Sequence, residues 1–346
     1  MSFENITLED IVRKLKDARR VLIVCHTNPD GDALGSCNAL ALTAEALGCE
    51  VKVVSPDKPA PRLEFLLREE YTEFKAGREE SFDLICTVDV ASYEQLGSLG
   101  FLVDRGRVDI MIDHHAEGTP FANGFIDPVA SAAGEIVYDV YRTAQEMYGF
   151  DNIPDVSRNV YTAIISDTGS FKYSNVTPDT HIIASELVEE INTAEDGGMT
   201  TDEICRTLFG RRTMSDLLAQ ALSINKLKVY EDGRLGIVFL TKEDVTSAGL
   251  EESDFGAAVE TPRSLEGVEI ALSVRQSFSD PTLYRVSSRS NCDVSVSDIC
   301  ASFGGGGHAK AAGCKITAKT PEEALAIAIG AFGGALPPLI YNEEKR

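Results

Sequence analysis

The segment VLIVCHTNPDGDALGS, residues 21–36, indicates the class of fold. Its first five residues form a short apolar run rich in β-branched side chains, which is typical of a strand buried in a parallel sheet. Residues 32–47 then follow a helical pattern, and Gly48 stands where such a helix would end. A buried strand that passes into a helix through a short polar loop is the building unit of α/β proteins.

The same alternation continues along the first half of the chain. Further strands are expected at VKVVS (51–55), DLICTVD (83–89) and VDIMID (108–113). Helices are expected at residues 61–68, 94–99, 134–148, 155–165 and 181–192, and Thr7 with Asp10 resembles a capping box that opens another helix ending near residue 16. This alternation predicts a parallel sheet with helices on both faces.

The composition changes near residue 195, where AEDGGMTTDE (194–203) is polar and rich in turn formers, and residues 202–227 then follow a helical pattern. Beyond them, KLKVYEDGRLGIVFL (226–240) predicts a hairpin around Asp232-Gly233. Strands at 268–278, 283–290 and 314–318, helices at 293–303 and 321–331, and a glycine-rich loop at 304–313 complete the pattern. We therefore predict an α/β chain with a parallel-sheet domain (1–195), a linker helix region (196–227) and a smaller C-terminal α/β domain with a mixed sheet (228–346).

Composition and charge limit the function classes. The net charge of −23 over 346 residues excludes the broad basic surface that usually holds long nucleic acid, so an anionic substrate must be short and captured locally. No signal peptide and no apolar stretch of membrane-spanning length is present, which predicts a soluble, cytoplasmic protein with no membrane partner. The eight cysteines form no Cys-x-x-Cys pair and are expected to be buried, reduced thiols.

Acidic and histidine side chains follow the predicted apolar elements. Any one of them is more often a turn or helix-cap residue than a ligand. Together they place five Asp and three His at one edge of one predicted sheet, where carboxylates repel one another unless a cation lies between them. The residues are His26, Asp30 and Asp32 after the first strand, Asp89 after the third, Asp113, His114 and His115 at the end of the fourth, and Asp167 after VYTAIIS.

The residue types indicate the kind of cation. Carboxylate oxygens with one or two imidazoles suit Mn²⁺ or Mg²⁺, and the absence of thiolates argues against structural zinc. Two such ions about 3.5–4 Å apart would activate a water and hold a phosphoryl group for in-line attack. In the sequence Asp113-His114-His115, one His can bind metal while the other meets the phosphate or leaving group, and Asp113 can orient an imidazole.

The loop of four glycines before His308 gives a separate indication. Glycines let a backbone approach a ligand closely and present N–H groups to an anion, although a glycine run alone is more often a flexible loop. Lys310 and small residues follow His308 directly, which favours an anion pocket. The same region also contains Arg263, Arg275 and Arg285, each of which is expected to be a solvated surface residue. Arg289 is the best candidate for a phosphate contact.

These segments, in this order, resemble the DHH phosphoesterase superfamily: HTNPDGDALGS, VDVAS, IDHH and SDTGSFKYSN, followed by a DHH-associated domain with GGGGHAKAAG. The resemblance covers nearly the whole chain and is strongest to the short branch of nanoRNases (oligoribonucleases) that are also pAp phosphatases. It implies a metal-dependent hydrolase that degrades short oligonucleotides to mononucleotides and converts 3′-phosphoadenosine 5′-phosphate (pAp) to AMP. Two divalent ions, Mn²⁺ before Mg²⁺, are implied as cofactors.

The resemblance also implies roles for individual residues. His26, Asp30 and Asp89 would hold one metal ion. The second ion would be held by a set that shares Asp89, namely Asp32, Asp89, His114 and Asp167. Asp113 would support the site and His115 would act near the scissile phosphate, which makes Asp89, Asp113 and His115 the implied catalytic residues. The implied substrate-binding residues are Arg289, Gly305, Gly306 and His308.

Several alternatives stay open at this point. A phosphodiesterase for cyclic di-AMP or its linear product pApA would use the same metal site with a different pocket. An inorganic pyrophosphatase shares the metal motifs, but the GGGGH loop favours a nucleotide. A non-catalytic nucleotide-binding module is disfavoured because no implied ligand is missing. No residue-level argument decides the polarity of cleavage, the preference for RNA or DNA, or the formation of a homodimer through the first domain.

Overall fold

A computed structural model describes residues 4–116 and 118–338 of the chain. The chain divides into two compact units, Met1–Arg211 and Arg212–Arg346, and the point of division lies inside the segment 196–227 predicted as a linker. All eight cysteines carry free thiols. Of the helices within the described ranges, none has the length and apolar character needed to cross a bilayer.

The first unit is built on a parallel sheet. Its strands are β1 (Arg20–Val24), β2 (Glu50–Val54), β3 (Leu84–Val88), β4 (Ile110–Asp113) and β5 (Gly124–Ile126). Its α-helices are α1 (Leu8–Asp17), α2 (Gly31–Ala46), α3 (Phe101–Asp104), α4 (Ala133–Tyr148), α5 (Pro154–Asp167), α6 (Pro178–Thr193) and α7 (Thr201–Cys205). The described strands lie in the order β2-β1-β3-β4-β5, and every pairing is parallel.

Both faces of this sheet are covered, which explains the uninterrupted apolar strands. Val21 and Ile23 of β1 pack into a core with α1, α2, α4 and α5, whereas Leu22 and Val24 point into a second cluster on the opposite face. That second cluster contains Leu96 of the 3₁₀ segment Tyr93–Leu99, together with residues of α3. The predicted parallel sheet with helices on both faces is confirmed.

Helices α2 and α5 pack closely against each other because a glycine lies between them. A Cβ placed on Gly35 would lie 2.5 Å from the backbone oxygen of Asn159. On α4, a Cβ on Gly134 would lie 2.5 Å from the Cβ of Ala163. The two glycines therefore hold the starts of α2 and α4 close to α5, and these helix ends carry or face the residues of the site described below.

The second unit is a smaller α/β body. Its strands are β6 (Leu227–Tyr230), β7 (Leu235–Leu240), β8 (Ile270–Gln276), β9 (Leu283–Ser290), β10 (Gly306–His308) and β11 (Ala311–Thr317). Its α-helices are α8 (Met214–Lys226), α9 (Lys242–Ser247), α10 (Glu260–Arg263), α11 (Val296–Ala301) and α12 (Pro321–Ala328). The described strands lie in the order β10-β11-β9-β8-β7-β6, with β7 and β8 parallel and the other pairs antiparallel, so the predicted mixed sheet is confirmed.

Several local predictions differ from the structure. The helices expected at 61–68 and 94–99 are 3₁₀ segments, Pro61–Leu66 and Tyr93–Leu99, and strand β5 is not among the predicted strands. The single helix expected over 202–227 is broken: α7 continues into a π-helical turn, Arg206–Gly210, and α8 starts again at Met214. Thr213 caps this new helix in a capping box with Asp216, a signal that was overlooked. The predicted glycine loop contains strand β10, which pairs with β11.

We expect Gly35→Ala to destabilise the first unit by about 1–3 kcal/mol, because the new methyl group meets a backbone oxygen that cannot move aside easily. This cost exceeds the gain of about 1 kcal/mol that Ala brings to a helix interior. Urea unfolding measures it. Gly210→Ala is the control, because its nearest neighbouring atoms would be 3.6 Å away. Equal effects of the two substitutions would refute the packing role.

Candidate metal centre

The ends of neighbouring strands gather the predicted ligands. Strands β1, β3 and β4 are adjacent and parallel, so their carboxyl ends share one edge of the sheet. His26 follows β1, Asp89 follows β3 directly, and His114 follows β4. Asp167 reaches the same place from a helix, because it is the last residue of α5 instead of following the helix as predicted. Together with Asp30, Asp32 and His115, these side chains form three overlapping groups, and within each group the ligand atoms lie within 4.8 Å of one another.

The first group consists of His26, Asp30 and Asp89. The His26 Nε2 atom lies 3.4 Å from Asp89 Oδ2 and 3.9 Å from Asp30 Oδ1. The other ring nitrogen, Nδ1, lies 2.7 Å from the carbonyl oxygen of Thr27 and must donate to it, because a carbonyl only accepts. In the neutral ring, Nε2 then presents its lone pair to the carboxylates. Asp30 is held by capping α2, where it accepts a hydrogen bond from the Ala33 N–H at 3.0 Å.

The second group consists of Asp32, His114 and Asp167. The His114 Nε2 atom lies 3.7 Å from Asp32 Oδ2, 3.7 Å from Asp167 Oδ2 and 3.6 Å from Asp89 Oδ1. Its Nδ1 atom lies 3.2 Å from the carbonyl oxygen of Ala130, so the same tautomer is favoured as for His26. The imidazole therefore directs one nitrogen at three carboxylates.

Asp89 belongs to both sides of the site. Its Oδ2 atom faces His26, whereas its Oδ1 atom faces His114 and lies 3.6 Å from His115 Nδ1. The residue is 3% exposed, and its Oδ1 atom is buried without a hydrogen-bond partner among the described residues. Its backbone has a φ of 59°, a left-handed conformation that Asp tolerates better than most residues. A buried carboxylate oxygen with no donor, surrounded by further ligand atoms, fits a divalent cation.

The titration behaviour reflects crowded negative charge. Burial, followed by repulsion from Asp89 and the other carboxylates, raises the pKa of Asp32 well above its ordinary range. Burial and Asp89 also raise the pKa of Asp30, and burial raises that of Asp167 to about 6. Burial opposes the charge of His26, but the hydrogen bond that the protonated ring donates to Asp89, with the charge of that carboxylate, outweighs it and raises the His26 pKa to about 10. Divalent cations would remove the repulsion between carboxylates that adds to the effect of burial on these pKa values.

His115 belongs to the third group, with Asp89 and His114, and is also paired with Asp113. The Nδ1 atom of His115 donates to Asp113 Oδ1 at 2.8 Å, and Asp113 is 2% exposed at the end of β4. This hydrogen bond is the largest cause of a raised His115 pKa. His115 is thereby oriented by a buried carboxylate and carries a proton over a wider pH range than a free imidazole.

A short segment that sequence reasoning missed orients the second group. Residues 130–135 offer the Ala130 carbonyl to His114, and the N–H groups of Ala133 and Gly134 donate to Asp32 at 2.8 and 3.0 Å. Their role is carried by backbone atoms, which leave no side-chain signal in a sequence. Glu135 steadies the segment by accepting hydrogen bonds from the N–H and hydroxyl of Ser131.

Asn175 links Asp167 to the segment of residues 130–135. Its side-chain amide donates to the carbonyl oxygens of Ser131 at 2.9 Å and Asp167 at 3.2 Å. Asn175 is the last residue of the motif SDTGSFKYSN, so its place in that motif was the available signal. The loop after α5 is thereby joined to the segment that orients Asp32 and His114.

The predicted substrate residues lie in the second unit. The strand register aligns Arg289 of β9 with Ala311 of β11 and, on the next strand, the backbone of His308. The His308 side chain lies outside the described part of the structure. Gly306 lies two residues before His308 on β10, and a Cβ there would meet open space. Gly305 is needed for packing, because a Cβ would lie 2.1 Å from the Gly313 oxygen.

We expect the metal-stripped protein to become more stable as the pH falls from about 8 to about 5. The folded state binds a proton at Asp167 with a pKa of about 6, against an ordinary 3.8, so stability rises as the pH falls through that interval. The raised pKa of His26, about 10 against 6.5, acts with the same sign, and its contribution is lost as the pH rises towards 10. Melting temperatures of EDTA-treated protein across this range test the trend.

Asp167→Asn is the matched variant for this measurement. The free energy of unfolding of this variant should gain less on acidification from about pH 6 to pH 4 than that of the parent, by on the order of 2 kcal/mol, because the group that takes up the proton is absent. A melting temperature that falls on acidification from pH 8, or a variant whose profile matches the parent, would contradict the assigned shift.

We expect Asn175→Ala to weaken Mn²⁺ binding by about 10-fold or more, because loss of partners behind metal ligands usually costs about 10–100-fold. Isothermal titration calorimetry on metal-stripped protein measures this affinity. Asn152→Ala is the control, because Asn152 is exposed and bonds to Gln145 and Glu190. Unchanged Mn²⁺ affinity in Asn175→Ala, with only a lower melting temperature, would show that Asn175 has a purely structural role.

The model of the DHH family, N-terminal domain, matches residues 20–166, and that of the DHHA1 domain matches residues 236–333. The chain is 31% identical over 300 residues to the bifunctional oligoribonuclease and PAP phosphatase NrnA of Thermus thermophilus, covering 86% of this chain and 84% of that protein. It is 23% identical to the protein of the same name from Bacillus subtilis, over 89% of this chain and 92% of the relative.

The fold has a close counterpart among solved structures. An exopolyphosphatase-related protein from Bacteroides fragilis superposes with a TM-score of 0.83, at 23% identity, and covers 94% of this chain and 95% of that one. The DHH match contains strands β1 to β5 and ends one residue before Asp167, and the DHHA1 match contains strands β8 to β11 with most of β7. The resemblance indicated by the sequence motifs is confirmed, and the chain belongs to the DHH family of phosphoesterases, with a DHHA1 domain after its DHH domain.

Proposed function

We propose that this chain is a divalent-metal-dependent hydrolase that degrades short oligonucleotides to mononucleotides and converts pAp to AMP. We further propose that residues 1–195 carry the chemistry, that residues 228–346 bind the nucleotide, and that the protein acts in the cytoplasm. The names of its relatives, which cover most of its length, support this activity.

The observation that carries the proposal is the sharing of Asp89 between two donor groups. One oxygen faces His26 and the other faces His114, the arrangement expected of a carboxylate that bridges two cations. We infer that one ion binds to His26, Asp30 and Asp89, and the other to the second group with Asp89. The donors are mostly oxygen with one imidazole on each side, which favours Mn²⁺ and accommodates Mg²⁺.

Bound divalent cations would supply charge against the phosphoryl oxygens and lower the pKa of an attacking water. The chain's own residues supply the rest of the chemistry. Asp113 fixes the ring of His115 through the 2.8 Å hydrogen bond to Nδ1, which leaves Nε2 as the proton donor. We propose that this nitrogen donates a proton to the leaving oxygen as the ester bond breaks. The raised pKa of His115 favours the protonated form that such a step needs.

The substrate class follows from charge and from the second unit. The net charge of −23 disfavours long polyanions, which require extended basic surfaces. We propose that Arg289, Gly305, Gly306 and His308 bind a terminal phosphate or nucleotide. A short substrate needs only such a local site, so this assignment agrees with the acidic chain.

We expect Asp89→Asn to lower kcat/KM for every substrate by about 100-fold or more. Loss of a residue that only supports a metal ligand costs about 10–100-fold, and this substitution removes the carboxylate that both sides of the site share. Asn has nearly the same shape and tolerates a left-handed backbone, so the fold should persist. Circular dichroism checks the fold, and the exposed Asp151→Asn is the control. Turnover by folded Asp89→Asn at the parent rate would rule out the shared-ligand assignment.

The activity itself is tested with a mixed substrate panel. Metal-stripped protein, with and without Mn²⁺, receives 5′-labelled RNAs of two to five nucleotides, a 24-mer, pAp and cyclic di-AMP. We expect Mn²⁺-dependent conversion of the short RNAs to mononucleotides and release of phosphate from pAp, with the 24-mer largely spared. Preferential opening of cyclic di-AMP would instead favour the alternative cyclic-dinucleotide phosphodiesterase. No turnover of any substrate would refute hydrolysis.

A further inference from the structure

Three cations lie opposite one another across three neighbouring strands of the second unit. The register pairs Arg275 of β8 with Arg285 of β9, and Arg285 with Lys315 of β11. We call these three residues the cationic row. Like charges placed directly opposite each other in a sheet destabilise it, so such a row is costly unless negative charge is present.

The cationic row lies on the open face of β9 and β11. Along β9, buried residues alternate with more exposed ones, and Arg285, Ser287 and Arg289 share the more exposed side. Along β11, Gly313 and Lys315 occupy the exposed positions. The side chain of Arg285 is 51% exposed, so an anion in solution can reach it.

The protein neutralises the cationic row only in part. Glu252 bonds to Arg285 Nε at 2.9 Å, and its backbone oxygen lies 3.5 Å from Arg275 Nη1. The Arg275 Nε atom is buried without a hydrogen-bond partner among the described residues. Burial, with the charge of Arg285, lowers the pKa of Arg275. Among the described residues, the ion pair between Arg285 and Glu252 is the one ion pair of the cationic row, so its three cations are neutralised incompletely.

A row of small residues separates the cationic row from Arg289. The register aligns Gly306, Gly313, Ser287 and Ser273 across four strands. Ser273 is 1% exposed, and its hydroxyl oxygen has no hydrogen-bond partner in the described part of the chain. Arg289 lies four residues from Arg285 along β9, a distance of about 13 Å. Where the face is open, on β9 and β11, Ser287 and Gly313 therefore leave a low strip between the two cationic positions.

We propose that the cationic row is a second phosphate-binding subsite, which holds the sugar-phosphate backbone of a short single-stranded oligonucleotide whose other end is bound at Arg289. This inference rests on the proposed function, which supplies the oligonucleotide. Successive phosphates advance about 3.4 Å along a stacked strand and further along an extended one, so a few nucleotides span the two positions. In pAp one ribose carries both phosphates, so pAp reaches one position only.

The chemistry of the cationic row also defines its selectivity. Arg and Lys bind phosphate oxygens, which carry no base information. Binding at the row is therefore expected to depend on length and salt concentration and to be indifferent to base sequence. The cationic row would thus increase the affinity for oligonucleotides and leave the affinity for pAp unchanged.

The test compares the double variant Arg285→Gln/Lys315→Gln with the parent protein. Fluorescence anisotropy of 5′-fluorescein-labelled pentaribonucleotides, and calorimetry with pAp, are carried out in EDTA so that no turnover occurs. Removing two phosphate contacts should reduce the slope of log affinity against log salt by about 1.4, since each contact contributes about 0.7 on single strands. At low salt we expect at least a 10-fold loss of pentanucleotide affinity and less than a twofold change for pAp.

Lys228→Gln/Lys319→Gln is the matched control, because it removes the same charge from other exposed positions of the second unit. Equal losses in both double variants, an unchanged salt slope, or an equal loss for pAp would overturn the subsite. Melting temperatures verify that each variant is folded. The subsite and the proposed function can be refuted separately. If the parent protein hydrolyses its substrates with Mn²⁺ but pentanucleotide binding does not depend on the cationic row, only the subsite is refuted. If binding depends on the cationic row but no substrate of the panel is hydrolysed, only the enzymatic activity is refuted.

Discussion

Repulsion between carboxylates is the constraint on which the first unit depends. Asp30, Asp32, Asp89 and Asp167 approach one another where three parallel strands end, and Asp32 and Asp89 are almost completely buried. Burial of that much like charge would oppose folding unless each group had donors or a counter-charge. The surrounding structure supplies part of that compensation through helix starts and imidazoles, and the remainder fits divalent cations.

The fold meets this constraint with backbone geometry as much as with side chains. A parallel sheet brings distant segments to one edge, so ligands separated by up to 141 residues need no long loops to meet. The glycines between α2, α4 and α5 then allow the helix starts to lie close to the carboxylates. The segment of residues 130–135 links His114 and Asp32, and through Asn175 also Asp167. The site is therefore positioned by several elements at once.

Sequence patterns predicted the parts of this arrangement that depend on strand ends. His26, Asp89 and His114 each follow an apolar run, and parallel pairing brings such positions together without further information. The patterns did not predict contacts made by backbone atoms, such as the Ala130 carbonyl, because any residue can supply them. They also missed the break before Met214 and the strand β10: apolar periodicity continues across the break, and a run of glycines fits a loop and a short strand equally well.

The two helix starts at Asp32 have a consequence for the loaded enzyme. Four ligand carboxylates balance two divalent ions, so the occupied centre that we propose would be close to neutral as a whole. Asp32 lies in the first turn of α2 and accepts two backbone N–H groups from the start of α4, so both helix ends add partial positive charge there. An incoming phosphate would therefore meet a weakly positive field that belongs to the fold and not to the ions. Such a field favours entry of an anion while leaving product release unhindered by a large excess of charge.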